Sequence, residues 1–232
     1  MNIIITGASK GIGRAIVFQF AAAGHTLLIG ARGEEGLNEL VAEVQQVYPT
    51  ATIKSLPVDM SDQTAVAAFA SWCLSYGTPD ILVNNAGKFT PGSIHTEPSG
   101  TLEDMINTNL YSAYYLTKAL LPAMIANKQG HIFNICSIAS LQPYSNGGSY
   151  GISKFALLGF SKNLREELKP LGIKVTAVLP GATYTNSWSG SGVPEERIMD
   201  ADDVAKMVYA ASQLSAKAVV EDIVLRPQLG DL

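Results

Sequence analysis

The sequence predicts an α/β fold, a single domain over residues 1–232 built on a doubly wound parallel sheet of about seven strands flanked by helices. Three observations lead there. Short, nearly continuous apolar runs alternate with longer stretches of helical periodicity, as expected of strands covered on both faces and the crossovers between them. The first run is followed at once by a glycine-rich turn and an amphipathic segment, in the order strand, loop, helix. No linker, low-complexity stretch or sequence repeat breaks the alternation, and 232 residues with 47% hydrophobic content can bury a substantial core.

Taken in order, Asn2-Ile3-Ile4-Ile5 is the first strand, and Gly11 to Ala23 the first helix, with Ile16, Val17, Phe20 and Ala21 on its apolar face. Further strands are expected at Thr26 to Ala31, Thr52 to Val58, Asp80 to Val83, His131 to Cys136, Lys174 to Leu179 and Val219 to Leu225. Helices are expected at Glu34 to Val47, Ser61 to Ser75, Leu102 to Asn127, Tyr150 to Lys169 and Ala201 to Ser212. Right-handed crossovers join parallel strands, and ligands of such sheets bind beyond the strand carboxyl ends. The glycine loop, Asn84 to Gly87, Ser137 and Pro180-Gly181 all fall at those ends.

Composition narrows the function classes. A net charge of −4 with no basic stripe argues against a nucleic-acid partner. The longest apolar stretch, Leu110 to Ala126, is interrupted by Lys118 and Pro122 and is too short to span a bilayer. The chain opens directly on a strand, without the n- and h-regions of a secretory signal, so a cytoplasmic location is expected. Cys73 and Cys136 have no paired spacing and are expected to be reduced and buried. His25, His95 and His131 show no ligand spacing, and no metal site is expected.

Two constellations carry chemistry. Thr6-Gly7-Ala8-Ser9-Lys10-Gly11-Ile12-Gly13 places glycines where the backbone must turn sharply and approach a pyrophosphate, at a helix N-terminus that offers N–H groups and a positive dipole end. Gly7, Ser9, Lys10, Gly11, Ile12 and Gly13 are therefore the expected dinucleotide cradle. Tyr150 and Lys154, at i and i+4, share one helix face, and an adjacent ammonium favours the phenolate, which would turn a weak acid into a usable one. Ser137 precedes them as a hydroxyl donor.

Together these residues resemble the short-chain dehydrogenase/reductase family from residue 6 to about residue 185, with its motifs in order: the glycine loop, Asp59, Asn84-Asn85-Ala86-Gly87, Asn109, Ser137, Tyr150 with Lys154, and Pro180-Gly181. The resemblance implies a Rossmann fold and a catalytic set of Asn109, Ser137, Tyr150 and Lys154. Tyr150 would exchange the proton, Ser137 hold the carbonyl oxygen, and Lys154 lower the tyrosine pKa and bond the nicotinamide ribose. Asn109 would hold a water that links Lys154 to solvent. It also implies cofactor contacts from Asp59 to the adenine, from Asn85, Ala86 and Gly87, from Pro180 and Gly181, and from Thr183 or Thr185 to the nicotinamide carboxamide. By its residue type alone, Asp59 equally suits a cap for the helix starting near Ser61, and Asn109 a tolerated helix-surface residue.

The second strand ends Ile29-Gly30-Ala31-Arg32, without the acid that would select NAD and with a guanidinium suited to a 2′-phosphate, so NADP(H) is favoured over NAD(H). The substrate is expected to be a small carbonyl or alcohol. Gln142, Tyr144 and Asn146 are wall candidates, and Trp188, in a Ser/Gly-rich lid, either closes over substrate or anchors the loop. The ending Val219 to Leu232 lacks the Gly-Gly element of many 3-oxoacyl-carrier-protein reductases and is more similar to the family branch of sepiapterin reductases and broad carbonyl dehydrogenases. A general NADPH-dependent carbonyl reductase is thus expected. A 3-oxoacyl-carrier-protein reductase, an NAD-linked alcohol or sugar dehydrogenase, and a non-catalytic NADP(H) sensor are the alternatives. Helix Leu102 to Asn127, apolar around most of its circumference, predicts a homodimer or homotetramer through four-helix contacts with Tyr150 to Lys169.

Overall fold

A computed structural model of the chain describes residues 1–185 and 192–231. Seven parallel strands form one sheet in the order β3-β2-β1-β4-β5-β6-β7: β1 (Asn2–Thr6), β2 (Thr26–Ala31), β3 (Thr52–Pro57), β4 (Ile81–Asn84), β5 (Gly130–Ile135), β6 (Ile173–Pro180) and β7 (Asp222–Leu225). The connecting helices are α1 (Gly11–Ala22), α2 (Glu34–Val47), α3 (Gln63–Leu74), α4 (Thr101–Ile106), α5 (Ser112–Asn127), α6 (Gly148–Leu168) and α7 (Ala201–Ser212).

The two-residue strand period sorts the apolar runs between two cores. Ile3, Ile5, Leu27, Ile29, Val83 and Phe133 face one layer, with Ile16, Val17 and Phe20 of α1, Leu37 and Leu40 of α2, and Val204 and Val208 of α7. Ile4, Leu28, Leu82, Ile132 and Val175 face the other, with Phe69 of α3, Leu116 and Leu120 of α5, and Leu164 of α6. Truncating a ring as buried as Phe20 to alanine would cost about 3–5 kcal/mol. Among the described residues no helix is long and apolar enough to cross a membrane.

Several expected elements differ in the structure, the last strand opening at Asp222 rather than Val219. The stretch Leu102 to Asn127 is not one helix: α4 passes into a π-turn over Asn107–Tyr111 before α5 begins, which shifts the backbone register where Asn109 lies. The third helix starts at Gln63, and its cap is Asp62, whose carboxylate accepts from Thr64 N (2.8 Å) and Ala65 N (3.4 Å). Asp59 instead closes its own turn, accepting from Ser61 N (2.9 Å) and Ser61 Oγ (2.7 Å), which holds its carboxyl below its ordinary pKa. Finally, α6 opens two residues before Tyr150, at Gly148.

His131, at the start of β5, is buried against Phe133 (centroids 3.9 Å apart). Thr176 Oγ1 donates to Val220 O (2.6 Å), so the His131 Nε2 contact to that oxygen (2.7 Å) requires Nε2 to carry the proton. Burial, with the Lys174 charge nearby, depresses its pKa from 6.5 to about 3. Keeping the ring neutral contributes stability that is complete above pH 6.5 and is lost as pH falls from there toward about 3. Melting temperature measured from pH 7 to pH 4 should therefore fall less steeply for His131→Gln, which keeps a donor for Thr176 but does not titrate, than for the parent; parallel curves would contradict this.

Candidate active site

The carboxyl ends of β1, β4, β5 and β6 open onto one crevice with a cavity of about 480 Å³. Its walls include Gly7, Lys10, Gly11 and Ile12 of the first loop, Asn85 and Gly87 after β4, Ser137, Tyr150 and Lys154, and Pro180, Gly181, Thr183 and Thr185 after β6. Motifs as far apart in sequence as Gly7 and Thr185 thus meet because parallel strands deliver all their carboxyl ends to the same side.

The first loop is fitted to receive a backbone-hugging ligand. Gly7 (φ 62°) and Gly11 (φ 54°) are left-handed, and a side chain on them would lie 2.9 Å from Ala86 Cα and from Thr185 Cγ2, respectively. No side chain caps α1, whose N-cap Lys10 is extended and exposed. Glycine turn, bare helix N-terminus and lysine form a cradle that fits a dinucleotide pyrophosphate.

Ser137, Tyr150 and Lys154 stand together across the crevice. Ser137 caps the short turn Ile138–Ser140, accepting from Ala139 N (3.1 Å), and its hydroxyl also reaches Tyr150. Lys154 is 6% exposed; its Nζ donates to Ile135 O (2.8 Å) and lies 5.8 Å from the Tyr150 ring centroid. Burial brings the Lys154 pKa down to about 8. Burial also raises the Tyr150 phenol above its ordinary value, against the opposing Ser137 hydrogen bond. Desolvation is thus the largest influence on the phenol, and the lysine ammonium is turned onto a backbone carbonyl.

Asn109 is 1% exposed inside the π-turn, so it is no surface residue. Its amide is bonded on both sides: Oδ1 accepts from Lys88 N (2.8 Å), and Nδ2 donates to Lys88 O (3.0 Å) and Ser153 Oγ (2.9 Å). Asn109 and Lys154 flank Gly87, where an added Cβ would lie 3.3 Å from Asn109 Oδ1 and 3.7 Å from Lys154 Nζ.

The other predicted residues divide. Gln142 and Tyr144 line the cavity, but Asn146 does not. With φ 60°, Asn146 accepts at Oδ1 from Ser93 Oγ (2.9 Å) and at its carbonyl from Gly92 N (3.0 Å), which makes it part of a loop-to-loop tie. Ser9, Gly13, Ala86, Arg32 and Asp59 stand outside the cavity lining. Of these, Gly13 packs against Asn85, while Arg32 is exposed and close enough to Asp59 to lower its pKa further. Thr183 is buried and donates to Gly181 O (3.0 Å), its loop paired with Met199. Trp188 lies outside the described residues. No group of three or more His, Cys, Asp or Glu among the described residues could hold a metal ion.

The sequence reading missed Phe89, whose ring stands edge-on to Tyr150 (4.9 Å, 84°), and Asp231, which enters the wall beside Gly181. Asp231 pairs with Arg226, while Arg197 donates to the carbonyls of Gly230 (3.0 Å) and Asp231 (3.1 Å) and so ties down the tail. Neither had a motif to announce it.

Known proteins match this arrangement along nearly the whole chain. A sepiapterin reductase of Chlorobaculum tepidum is 34% identical, the match covering 99% of this chain and 97% of the relative. An NADP-dependent 3-hydroxy acid dehydrogenase, YdfG, of Escherichia coli O157:H7 is 31% identical, with 98% and 95% covered. Among solved structures, a metagenomic short-chain oxidoreductase in complex with NADP superposes with a TM-score of 0.85 at 33% identity (98% and 97% covered), and the closed form of a serine dehydrogenase complexed with NADP+ with 0.88 at 30% (100% and 97% covered). The short chain dehydrogenase pattern itself matches residues 1–194, and the chain belongs to this family of oxidoreductases, the short-chain dehydrogenases/reductases.

Proposed function

We propose that the protein, acting through one nucleotide-binding domain over residues 1–232, is an NADP(H)-dependent carbonyl reductase of small substrates in the cytoplasm. The observation that carries this reading is the meeting of Ser137, Tyr150 and Lys154 in the cavity that continues to the glycine cradle. Bound NADPH would supply the hydride. Ser137 would donate to the carbonyl oxygen and Tyr150 give it a proton as negative charge builds there. Burial favours the protonated phenol, while the Ser137 hydrogen bond favours the ionised form that proton transfer leaves behind. Lys154, fixed by Ile135 O, would hold the ribose, and Asn109, bonded to the Lys88 backbone, would secure the loop after β4 and relay protons between Lys154 and solvent.

For the cofactor, exposed Arg32 and Lys10 offer cations near the cradle, and the NADP named in the related structures supports the same preference. The two buried free thiols, Cys73 and Cys136, suit a reducing compartment. The named relatives put pterins and 3-hydroxy or 3-oxo acids first among substrates. Exposed Tyr111, Tyr114, Ile152 and Phe155 form an apolar surface on the π-turn, α5 and α6, where Tyr114 packs against Phe160 (5.7 Å). A second copy would cover this surface across a two-fold axis, giving a homodimer or homotetramer.

NADPH consumption with pterins, 3-oxo acids, diketones and 3-oxoacyl thioesters tests the reading. Turnover should fall by at least about a hundredfold in Tyr150→Phe, in line with the loss of a general acid, and Arg32→Asp should shift preference toward NADH; turnover that survives Tyr150→Phe would overturn the assignment. Sedimentation should show an oligomer that Phe155→Glu converts to monomer, whereas a parent that sediments as a monomer would refute the two-fold surface.

A further inference from the structure

The first turn of α6 has no cap of its own. Its N-cap residue, Gly147, has no side chain, and the Gly147-Gly148 pair leaves the start of the helix weakly specified. Yet this turn carries Tyr150, so small movements of Gly148 and Ser149 move the phenol.

A carboxylate from 52 residues away takes the cap's place. Glu97, in the loop between β4 and α4, accepts from Ser149 N at Oε2 (3.3 Å) and from Ser149 Oγ at Oε1. A negative group at a helix N-terminus meets both the unclaimed amides and the dipole. The same loop is tied once more just before the helix, by Gly92 N to Asn146 O (3.0 Å) and Ser93 Oγ to Asn146 Oδ1 (2.9 Å). Gly148, at φ 36°, is enclosed between these ties, since a Cβ there would run into Gly92 O and lie 2.9 Å from Glu97 Oε2. Phe89, on the same loop, holds the Tyr150 ring edge-on. Glu97 itself does not line the cavity, so any effect on chemistry must pass through the helix start.

We propose that Glu97 is a positioning residue for the reduction: as a remote cap of α6 it fixes Ser149 and thereby the Tyr150 phenol opposite Ser137. This rests on the assignment of Tyr150 as the proton donor. Misplacing a reacting group by about 1 Å can cost about a hundredfold in rate.

The test compares Glu97→Ala, Glu97→Gln, Tyr150→Phe and the Glu97→Ala/Tyr150→Phe double variant, using the best carbonyl of the substrate series and amide hydrogen exchange on the whole protein. Glu97→Ala should lower kcat about tenfold or more while the KM for NADPH moves less than about threefold. Glu97→Gln, which keeps an acceptor for Ser149, should recover most of the rate, and Glu97→Ala should cost nothing further in the Tyr150→Phe background. In Glu97→Ala, amides 149–151 should exchange faster while later turns of α6 keep their protection. An unchanged kcat, an undiminished loss in the Tyr150→Phe background, or unchanged exchange at 149–151 would overturn the proposal. Full turnover in Tyr150→Phe alone would instead remove the proton-donor assignment, and the exchange rates would still decide whether Glu97 holds the helix start.

Discussion

Thr6 and Asn85 hold together the two loops on which the whole crevice is built. Thr6, 1% exposed at the end of β1, accepts at Oγ1 from Asn85 N (3.1 Å) and Ala86 N (3.0 Å) and donates to Val83 O (3.4 Å). Asn85 returns two bonds, from Nδ2 to Thr6 O (2.9 Å) and Gly7 O (3.0 Å). This reciprocal lock sits between β1 and β4, where the sheet's winding reverses and two neighbouring loops part to leave a cleft. Each buried N–H left without its acceptor would cost about 1–3 kcal/mol, so the lock resists opening at the one place where the sheet has no crossover to close it. Gly13 belongs to the same lock, because a Cβ on it would collide with Asn85 Nδ2 and Gly7 O.

Behind the crevice, a buried polar chain carries the order set by that lock to the helices. Asn84 Nδ2 donates to Thr117 Oγ1 (2.9 Å) and Asn134 Oδ1 (2.8 Å), and Asn134 Nδ2 donates to Ser161 Oγ (2.7 Å), joining β4 and β5 to α5 and α6. Asn109 and Ser153 extend the same principle closer to Tyr150. The surroundings of Ser137 are dry enough to move the buried titratable groups beside it toward their neutral forms. Tyr150 and Cys136 go up, Cys136 to about 11, while Lys154 goes down to about 8. Burial holds Cys136, though next to Ser137, as the thiol, and it packs with Leu157, Ala177 and Leu179.

Much of this was legible in the chain, for identifiable physical reasons. Strands buried on both faces must be apolar throughout, so Ile3 to Ile5 and Leu27 to Ile29 declare themselves, and their two-residue period sorts them between the two cores. The glycine loop and the Ser137, Tyr150 and Lys154 set were readable because each needs particular residue types at fixed spacing. The π-turn was not, because one extra residue in a turn hardly disturbs an apolar periodicity over 26 residues; only the burial of Asn109 betrays it. Asp59 and Asp62 are interchangeable as caps by residue type, and the backbone chose the second. Asn146 reads as a wall candidate in the sequence because its partner, Ser93, is 53 residues away. Phe89, Glu97 and Asp231 act through contacts that no local pattern encodes.

If the Thr6–Asn85 lock shapes the cleft that takes the nucleotide, NADPH affinity in Thr6→Val will reveal it. Valine matches threonine in shape but offers no acceptor to Asn85 N and Ala86 N. NADPH binding, followed by calorimetry with Thr6→Ser as the hydroxyl-retaining control, should weaken about tenfold or more in Thr6→Val and stay close to the parent in Thr6→Ser. Equal affinity in all three proteins would show that the cleft forms without the lock.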